Sequence, residues 1–354
     1  MIEIQSPFIE FKHVTKKFGD FKALDDVSLT IPKGCFMTLL GPSGCGKTTL
    51  MRQLAGFSEP EEGEIFLDGK KVNGLPPFKR NTPLVFQEYA LFPHMTVFQN
   101  ISYGLSISKT SKDEIRQKVD EMLSMFNLTG MEDRFPKQLS GGQQQRVAFA
   151  RALIMGQQVL LLDEPLSNLD AKLRVDVRTD LRKIQQKLGI TVIYVTHDQD
   201  EALSMSDCIA VMRTGKIEQI GTPLEIYFRP RTKFVADFVG TVNFLDAEID
   251  SPNSAVWQED RVVFSSEETF GKGDQVILII RPECISIKPY DSAQPGIEGE
   301  VDFYSFLGRF VRYWVKTTGG KTIIVDDPNP ALSGALSGKV QLSFSTEKIH
   351  VLKS

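Results

Sequence analysis

The chain has 354 residues, 41% of them hydrophobic and 24% charged, an ordinary globular composition with room for two or three domains. A formal net charge of −4 lacks the basic balance that nucleic-acid binding uses, so no nucleic acid is expected among its partners. The scattered Cys35, Cys45, Cys208 and Cys284 offer no C-x-x-C pair, which argues against a disulfide framework and a thiolate metal site.

The opening "MIEIQSPFIEFKHV" carries acids early and has no apolar signal-peptide core. Nowhere does a run approach the ~18 to 20 apolar residues of a bilayer span. We therefore expect a soluble chain whose membrane role, if it has one, runs through a partner. From about residue 8 to 240 strands and helices alternate. "CFMTLL" (35–40) predicts a buried strand, and it leads into "GPSGCGKT" (41–48), which fits G-x-x-x-x-G-K-[ST]. Glycines allow such a loop to curl with its N–H groups inward around a phosphate. Lys47 adds a cation for the β- and γ-oxygens, Thr48 a hydroxyl for Mg²⁺, and the helix predicted over "TTLMRQLAG" (48–56) points its positive end at the same place.

"SKDEIRQKVDEMLSMF" (111–126) opens with the spacing of a capping box, Ser111 and Glu114. Ile115, Val119, Met122, Leu123 and Phe126 then follow at helical intervals. "QLSGGQQQR" (138–146) has the form of a helix start that holds an anion, with backbone N–H groups at Ser140, Gly141 and Gly142 and a cation following at Arg146. It is a second anion loop in a chain that already has one. "VLLLDEP" (159–165) ends a buried strand in two carboxylates. Asp163 suits a Mg²⁺ shell and Glu164 suits polarisation of an attacking water; alone, the same residues would also make an ordinary polar turn. "AKLRVDVRTDLRKIQQKLG" repeats Leu173, Val177, Leu181, Ile184 and Leu188 and stops at Gly189, and "ITVIYVT" (190–196) predicts another buried strand. This alternation implies a mainly parallel sheet covered on both faces. After about residue 241 come short strand-like runs, among them "RFVRYWVKTTGGKTIIVDD" folding at Gly-Gly, which predict a small β-barrel.

In this order the motifs resemble the ATP-binding subunit of an ABC transporter over nearly the whole chain. Those that carry the resemblance are Phe18 in "KKFGDFKAL", the loop at 41–48, Gln87 in "VFQEYALFPHMTV", "LSGGQ" (139–143), "LLLDEP", "SNLD" (167–170) and His197 in "VTHDQDEAL". The resemblance implies an α/β, ABC-type P-loop NTPase domain over 1–240 with a helical subdomain at about 89–155. An all-β, OB-like (TOBE-like) barrel would follow over 241–354. It also implies the site. Phe18 would stack on the adenine of ATP, and Gly41, Ser43, Gly44, Cys45, Gly46, Lys47, Thr48 and Thr49 would hold its phosphates, the Cys45 side chain serving packing and not nucleophilic attack. Thr48, Gln87 and Asp163 would hold Mg²⁺. Glu164 would be the general base, with Gln87 at the attacking water and His197 at the γ-phosphate. Ser140, Gly141, Gly142 and Gln143 would face the nucleotide of a second copy, and Asp170 would communicate across that head-to-tail homodimer.

The implied partners are the second ATPase subunit, two transmembrane permease subunits and, indirectly, an extracytoplasmic solute-binding protein, at the cytoplasmic face of the inner membrane as a peripheral subunit. Tyr89, Leu91, Phe92, Pro93 and Phe98 form the candidate patch for the permease, with a satellite core under the helical segment as the alternative reading. "GTPLEIYFRPRTKFVADFVGTVNFL" (221–245) and "IIRPECISI" (279–287) resemble the junction and barrel start of the polyamine, ferric-iron, sulfate and sugar importers. The phosphate-loop wording and "QLAGF" place polyamine (spermidine/putrescine) first and ferric iron second, ahead of phosphonate, sulfate and sugar. The competing class is a soluble ABC ATPase that transports nothing, which usually carries tandem nucleotide domains or a long coiled coil; neither is visible. Whether the barrel also binds a regulatory ligand is open at this stage.

Overall fold

The computed structural model describes residues 7–266, 268–328 and 334–353, so the first six residues of the N-terminal reading lie outside it. Contacts divide the chain into two units, Met1–Pro223 and Leu224–Ser354.

In the first unit, β1 (Pro7–Phe18) and β2 (Phe21–Pro32) form a long hairpin. There follow β3 (Phe36–Leu40), α1 (Lys47–Ala55), β4 (Glu62–Leu67), β5 (Lys70–Lys71), α2 (Pro77–Arg80), β6 (Leu84–Val85), α3 (Val97–Ile107), α4 (Lys112–Met125) and α5 (Gly141–Leu153). The unit closes with β7 (Val159–Asp163), α6 (Ala171–Leu188), β8 (Thr191–Thr196), α7 (Gln199–Met205), β9 (Cys208–Arg213) and β10 (Lys216–Gly221). The sheets are an antiparallel β2-β1-β4-β5 and a six-stranded β10-β9-β3-β8-β7-β6, parallel except for β10 at its edge.

Every residue of β3, β7 and β8 is buried, as strands covered on both faces require. Side chains of one strand alternate between faces, and the cores follow suit. Leu160 and Leu162 of β7, with Val192 and Tyr194 of β8, join α3–α6 in one core. Val159 and Leu161, with Ile193 and Val195, join α1 and the β1–β2 hairpin in the other.

Helix ends follow side-chain chemistry. Ser111 caps α4 by accepting the Glu114 N–H at 3.3 Å. The reciprocal half of the expected box is not made, because the Glu114 carboxylate turns to Lys118 at 2.9 Å. α6 starts at the Asp170 cap, accepting the Leu173 N–H at 2.9 Å, and stops at Gly189 with φ 62°. Val177, Leu181 and Ile184 are buried as expected, whereas Leu188 in the last turn is exposed, beyond the reach of the core.

The second unit begins with α8 (Pro223–Phe228) and α9 (Lys233–Phe238). It continues through β11 (Asn243–Ser251), β12 (Ser254–Trp257), β13 (Asp260–Val263), β14 (Gln275–Ile280), β15 (Ile285–Pro289), β16 (Ile297–Phe306), β17 (Val311–Thr317), β18 (Thr322–Asp327), β19 (Gly338–Phe344) and β20 (His350–Lys353). These make two five-stranded sheets, β13-β12-β11-β14-β20 and β15-β19-β16-β17-β18, antiparallel throughout. Residues of both sheets, such as Trp257, Leu278, Tyr313 and Leu342, share one core, the all-β, OB-like unit expected. β17 buries Val311, Tyr313 and Val315 and β18 pairs back after a turn in which Gly320 takes φ 82°.

The division precedes the junction read at 240 for a physical reason. Buried Arg281 donates to the carbonyls of Tyr227, Ala236, Gly240 and Thr241 at 2.9–3.2 Å, so the 227–241 segment is bonded to the strands that follow it.

Candidate functional site

The parallel register brings the chemistry to one edge. Leu40 pairs with Thr196 and Asp163 with Val195, so the loops leaving β3, β8 and β7 emerge side by side. In open parallel sheets this carboxyl end is where ligands bind. β6 pairs in parallel with β7, and Gln87, two residues past β6, leaves by the same end. The hairpin adds Phe18, 58% exposed and paired with Phe21. Ala23 and Leu24 of β2 lie directly against Gly46, so this end of the hairpin adjoins the phosphate loop.

The loop's glycines are required by its geometry. Gly44 and Gly46 have φ 78° and 106°, and a Cβ on Gly46 would stand 2.4 Å from the Ala23 carbonyl oxygen. One on Gly41 would stand 2.3 Å from the Met212 carbonyl oxygen. Ser43 and Gly44 are exposed at the mouth while Lys47 is buried. Among the described residues its Nζ donates to the carbonyls of Gly41 (2.7 Å) and Pro42 (2.8 Å) and otherwise meets only the Cys45 sulfur at 3.7 Å. An ammonium carries three protons and sulfur is a weak acceptor, so a phosphate oxygen fits the third. Burial raises the Cys45 thiol above its ordinary value, against a nucleophilic role and in line with packing.

Thr48 Oγ1, on the first turn of α1 just before Thr49, donates to Asp163 Oδ1 at 2.8 Å. Arg52 Nη2 stands 4.0 Å from the other carboxylate oxygen. Burial raises the Asp163 carboxyl, against the Thr48 hydrogen bond and the Arg52 charge. A hydroxyl beside a carboxylate is a hard-oxygen pair of the kind Mg²⁺ takes together with waters and phosphates. Among the described residues no group of three or more His, Cys, Asp or Glu side chains forms a separate metal site.

Glu164 has φ 46°. Its N–H donates to the Val195 carbonyl at 3.0 Å, and its own carbonyl accepts from Ser167 Oγ at 2.9 Å. One carboxylate oxygen lies 3.2 Å from His197 Nδ1. Asn168 Nδ2 donates to the Gln87 carbonyl at 3.1 Å, joining "SNLD" to the loop after β6. That link, and Arg52, were not singled out from the sequence. Asn168 sat in plain view inside a quoted motif, but its partner lies a whole subdomain away in the chain.

Ser140–Gln143 have no hydrogen bond to the residues of this site among the described residues. They start α5 against Leu169 and Leu173, which the Cβ positions of Gly141 and Gly142 would meet at 3.0–3.1 Å. A capping box joins Ser140 and Gln143 and leaves the first-turn N–H groups of Gly141 and Gly142 outside it. Arg146 corrects an expectation: its Nη2 donates to Asp180 at 2.7 Å, so its charge is matched within the chain and not held for an anion.

Tyr89 is a second correction. It is only 6% exposed and belongs to the helical core. Tyr89 and Ala90 both have positive φ, and Arg151 donates to both carbonyls, a local fold that turns the tyrosine inward. Leu91, Phe92 and Phe98 are half-buried and Pro93 is exposed. Phe92 lies 4.7 Å, ring to ring, from Tyr103.

Against known proteins, residues 24–167 match the family described as "ABC transporter" and residues 278–352 the family described as "TOBE domain". The Fe(3+) ions import ATP-binding protein of Brucella abortus is 46% identical over 354 residues, covering 99% of both chains. This chain belongs to the ABC import ATPases. The spermidine/putrescine import ATP-binding protein of Clostridium novyi is 45% identical over 345 residues, covering 98% of this chain and 97% of its own. Among solved structures, cbiO1 from Clostridium perfringens, part of an ABC transporter complex, matches with a TM-score of 0.60 and 32% identity over 63% of this chain and 91% of its own. A dimeric ATP-binding cassette in a post-hydrolysis state with ADP and Pi matches with a TM-score of 0.54 and 35% identity over 61% of this chain and 98% of its own. The ABC ATPase is thus an enzyme that hydrolyses ATP in the service of transport. None of its described helices is long and apolar enough to cross a membrane.

Proposed function

We propose that this ATPase works as a head-to-tail homodimer on the cytoplasmic face of the membrane, driving two permease subunits that import ferric iron delivered by an extracytoplasmic binding protein. The observation that carries the enzymatic part is the juxtaposition of Thr48–Asp163 and Glu164–His197 at adjoining parallel strand ends. Phe18 stacks the adenine. The backbone from Gly41 to Thr49 wraps the phosphates, with Lys47 on the β/γ oxygens. Thr48, Asp163 and Gln87 would hold Mg²⁺, which would neutralise charge on the β- and γ-phosphates. Glu164 accepts the proton of the attacking water, and His197 steadies the γ-phosphate end.

Ser140–Gln143 of the second copy close the site. Donors at a helix start aimed at a γ-phosphate are charge-assisted, and both contributions end when that phosphate leaves, so ATP joins the two copies and hydrolysis parts them. The dimeric cassette with ADP and Pi supports the two-copy arrangement.

For the solute, the near full-length ferric-iron relatives support iron ahead of the polyamine order read from the phosphate loop and "QLAGF", with the spermidine/putrescine relative keeping polyamine second. Deleting the gene and measuring uptake of radiolabelled ferric iron and spermidine separately tests it. Loss of iron uptake alone is expected; loss of spermidine uptake alone reverses the order.

A further inference from the structure

The glutamines that follow the glycines of α5 do three different things. Gln143 closes the cap. Gln144 donates its amide to the carbonyls of Pro136 and Leu139, at 3.1 and 3.3 Å, in the turn before the helix. Gln145 is fully buried, at 0% exposure, and reaches across to the Pro165 carbonyl with Nε2 at 3.0 Å.

Pro165 directly follows Glu164, whose φ of 46° is one that few non-glycine residues adopt. Proline has no N–H with which to anchor that turn. The bonds from Glu164 N–H to Val195 and from Ser167 to the Glu164 carbonyl hold the turn only from within the strand-end region. Gln145 ties it to a different element. The other amide atom, Gln145 Oε1, has no partner among the described residues.

We propose that Gln145 is a positioning residue for the base Glu164, and that it links each base to the nucleotide site completed by the same helix. The second half rests on the shared-site reading above. Ser140–Gln143 meet the ATP held by the second copy, and within the next turn of the same helix Gln145 holds the Glu164 turn of its own chain. Movement of α5 on loss of the second copy's γ-phosphate is transmitted through the Pro165 carbonyl. The base of one chain is therefore set by whether the other chain's site is filled.

The test uses the full chain with two variants. Gln145→Met keeps the length and removes the donor. Its melting temperature is expected to fall modestly as the Pro165 carbonyl loses a buried donor, with ATP affinity at the wild-type value, while kcat falls about tenfold with KM unchanged, the scale of a small misplacement of a catalytic group, and the ATP dependence shows no cooperativity. Gln145→Glu donates to the Pro165 carbonyl only when protonated, so its kcat relative to wild type should recover as pH is lowered from about 8 to about 6, burial favouring the neutral acid. A wild-type kcat in Gln145→Met overturns the positioning role. Should that variant fold poorly, a Gln145→Glu ratio that is flat with pH overturns it instead. Reduced kcat with unchanged cooperativity overturns the link between sites while leaving the positioning role standing. A Ser140→Arg protein that still forms the ATP-bound dimer overturns the shared-site reading itself.

Discussion

His197 Nδ1 lies 3.2 Å from Glu164 Oε2, and this contact follows from the pairing of two strands. Asp163 and Val195 stand opposite one another on β7 and β8, and the Glu164 N–H is bonded to the Val195 carbonyl. The first residue past β7 and the first past β8 are thereby held at hydrogen-bonding range before any nucleotide arrives.

Glu164→Gln is expected to bind ATP as wild type does and to lose about 10² to 10⁴ in turnover, the usual worth of a positioned base. Phosphate release and fluorescent-nucleotide titration on the same preparation measure both. Turnover at the wild-type rate would remove Glu164 from the mechanism.

Asp163 carries a pH signature. Its carboxyl is raised by burial, so the folded chain holds that proton more tightly than the unfolded chain does. The group's contribution to stability is then present at low pH and is lost as pH rises from the ordinary carboxylate range through the raised value. Asp163→Asn removes the titration while its amide oxygen still accepts from Thr48. Without nucleotide, its melting temperature relative to wild type should climb as pH rises above the ordinary carboxylate range. A difference that does not change with pH contradicts the burial argument.

Ser140→Arg places a long cation at the exposed start of α5, which among the described residues has no hydrogen bond to 41–49. In the Glu164→Gln background it should abolish the ATP-dependent dimer seen by light scattering and leave nucleotide binding by the monomer intact.

Phe92 and Tyr89 separate surface from core. Phe92→Cys is expected to crosslink to a permease subunit in native membranes, whereas Tyr89→Cys, in the helical core, is expected to stay unlabelled and to lower stability by about 3 kcal/mol as an aromatic truncation. Efficient crosslinking from position 89 would contradict the inward turn of that loop.

Arg281→Ala should be among the most damaging changes in the C-terminal unit. It strips four backbone carbonyls of a buried donor, and each carbonyl left unpaired costs about 1 to 3 kcal/mol. Calorimetry should show the loss as a lowered transition for that unit, with ATP binding by the N-terminal unit unaffected.

The buried strands were legible because parallel strands covered on both faces need unbroken apolar runs, and "CFMTLL", "VLLLDE" and "ITVIYVT" are such runs. The glycine-rich loop was legible because its path leaves no room for side chains: Cβ atoms at Gly41 and Gly46 would run into the Met212 and Ala23 carbonyl oxygens. Helix starts were half legible. Ser111 does cap α4, but Glu114 had a lysine within reach on its own helix, and the ion pair won over the box.

Local chemistry alone therefore determined the strands, the caps and the glycine-rich loop at 41–48, since each depends on neighbours within a few residues. Tertiary structure decided what depends on partners far along the chain. It turned Tyr89 inward, matched Arg146 with Asp180, set Asn168 on the Gln87 carbonyl and brought His197 to Glu164. The reason is range: a hydrogen bond acts over about 3 Å, and only the packed sheet and helices bring such distant residues that close.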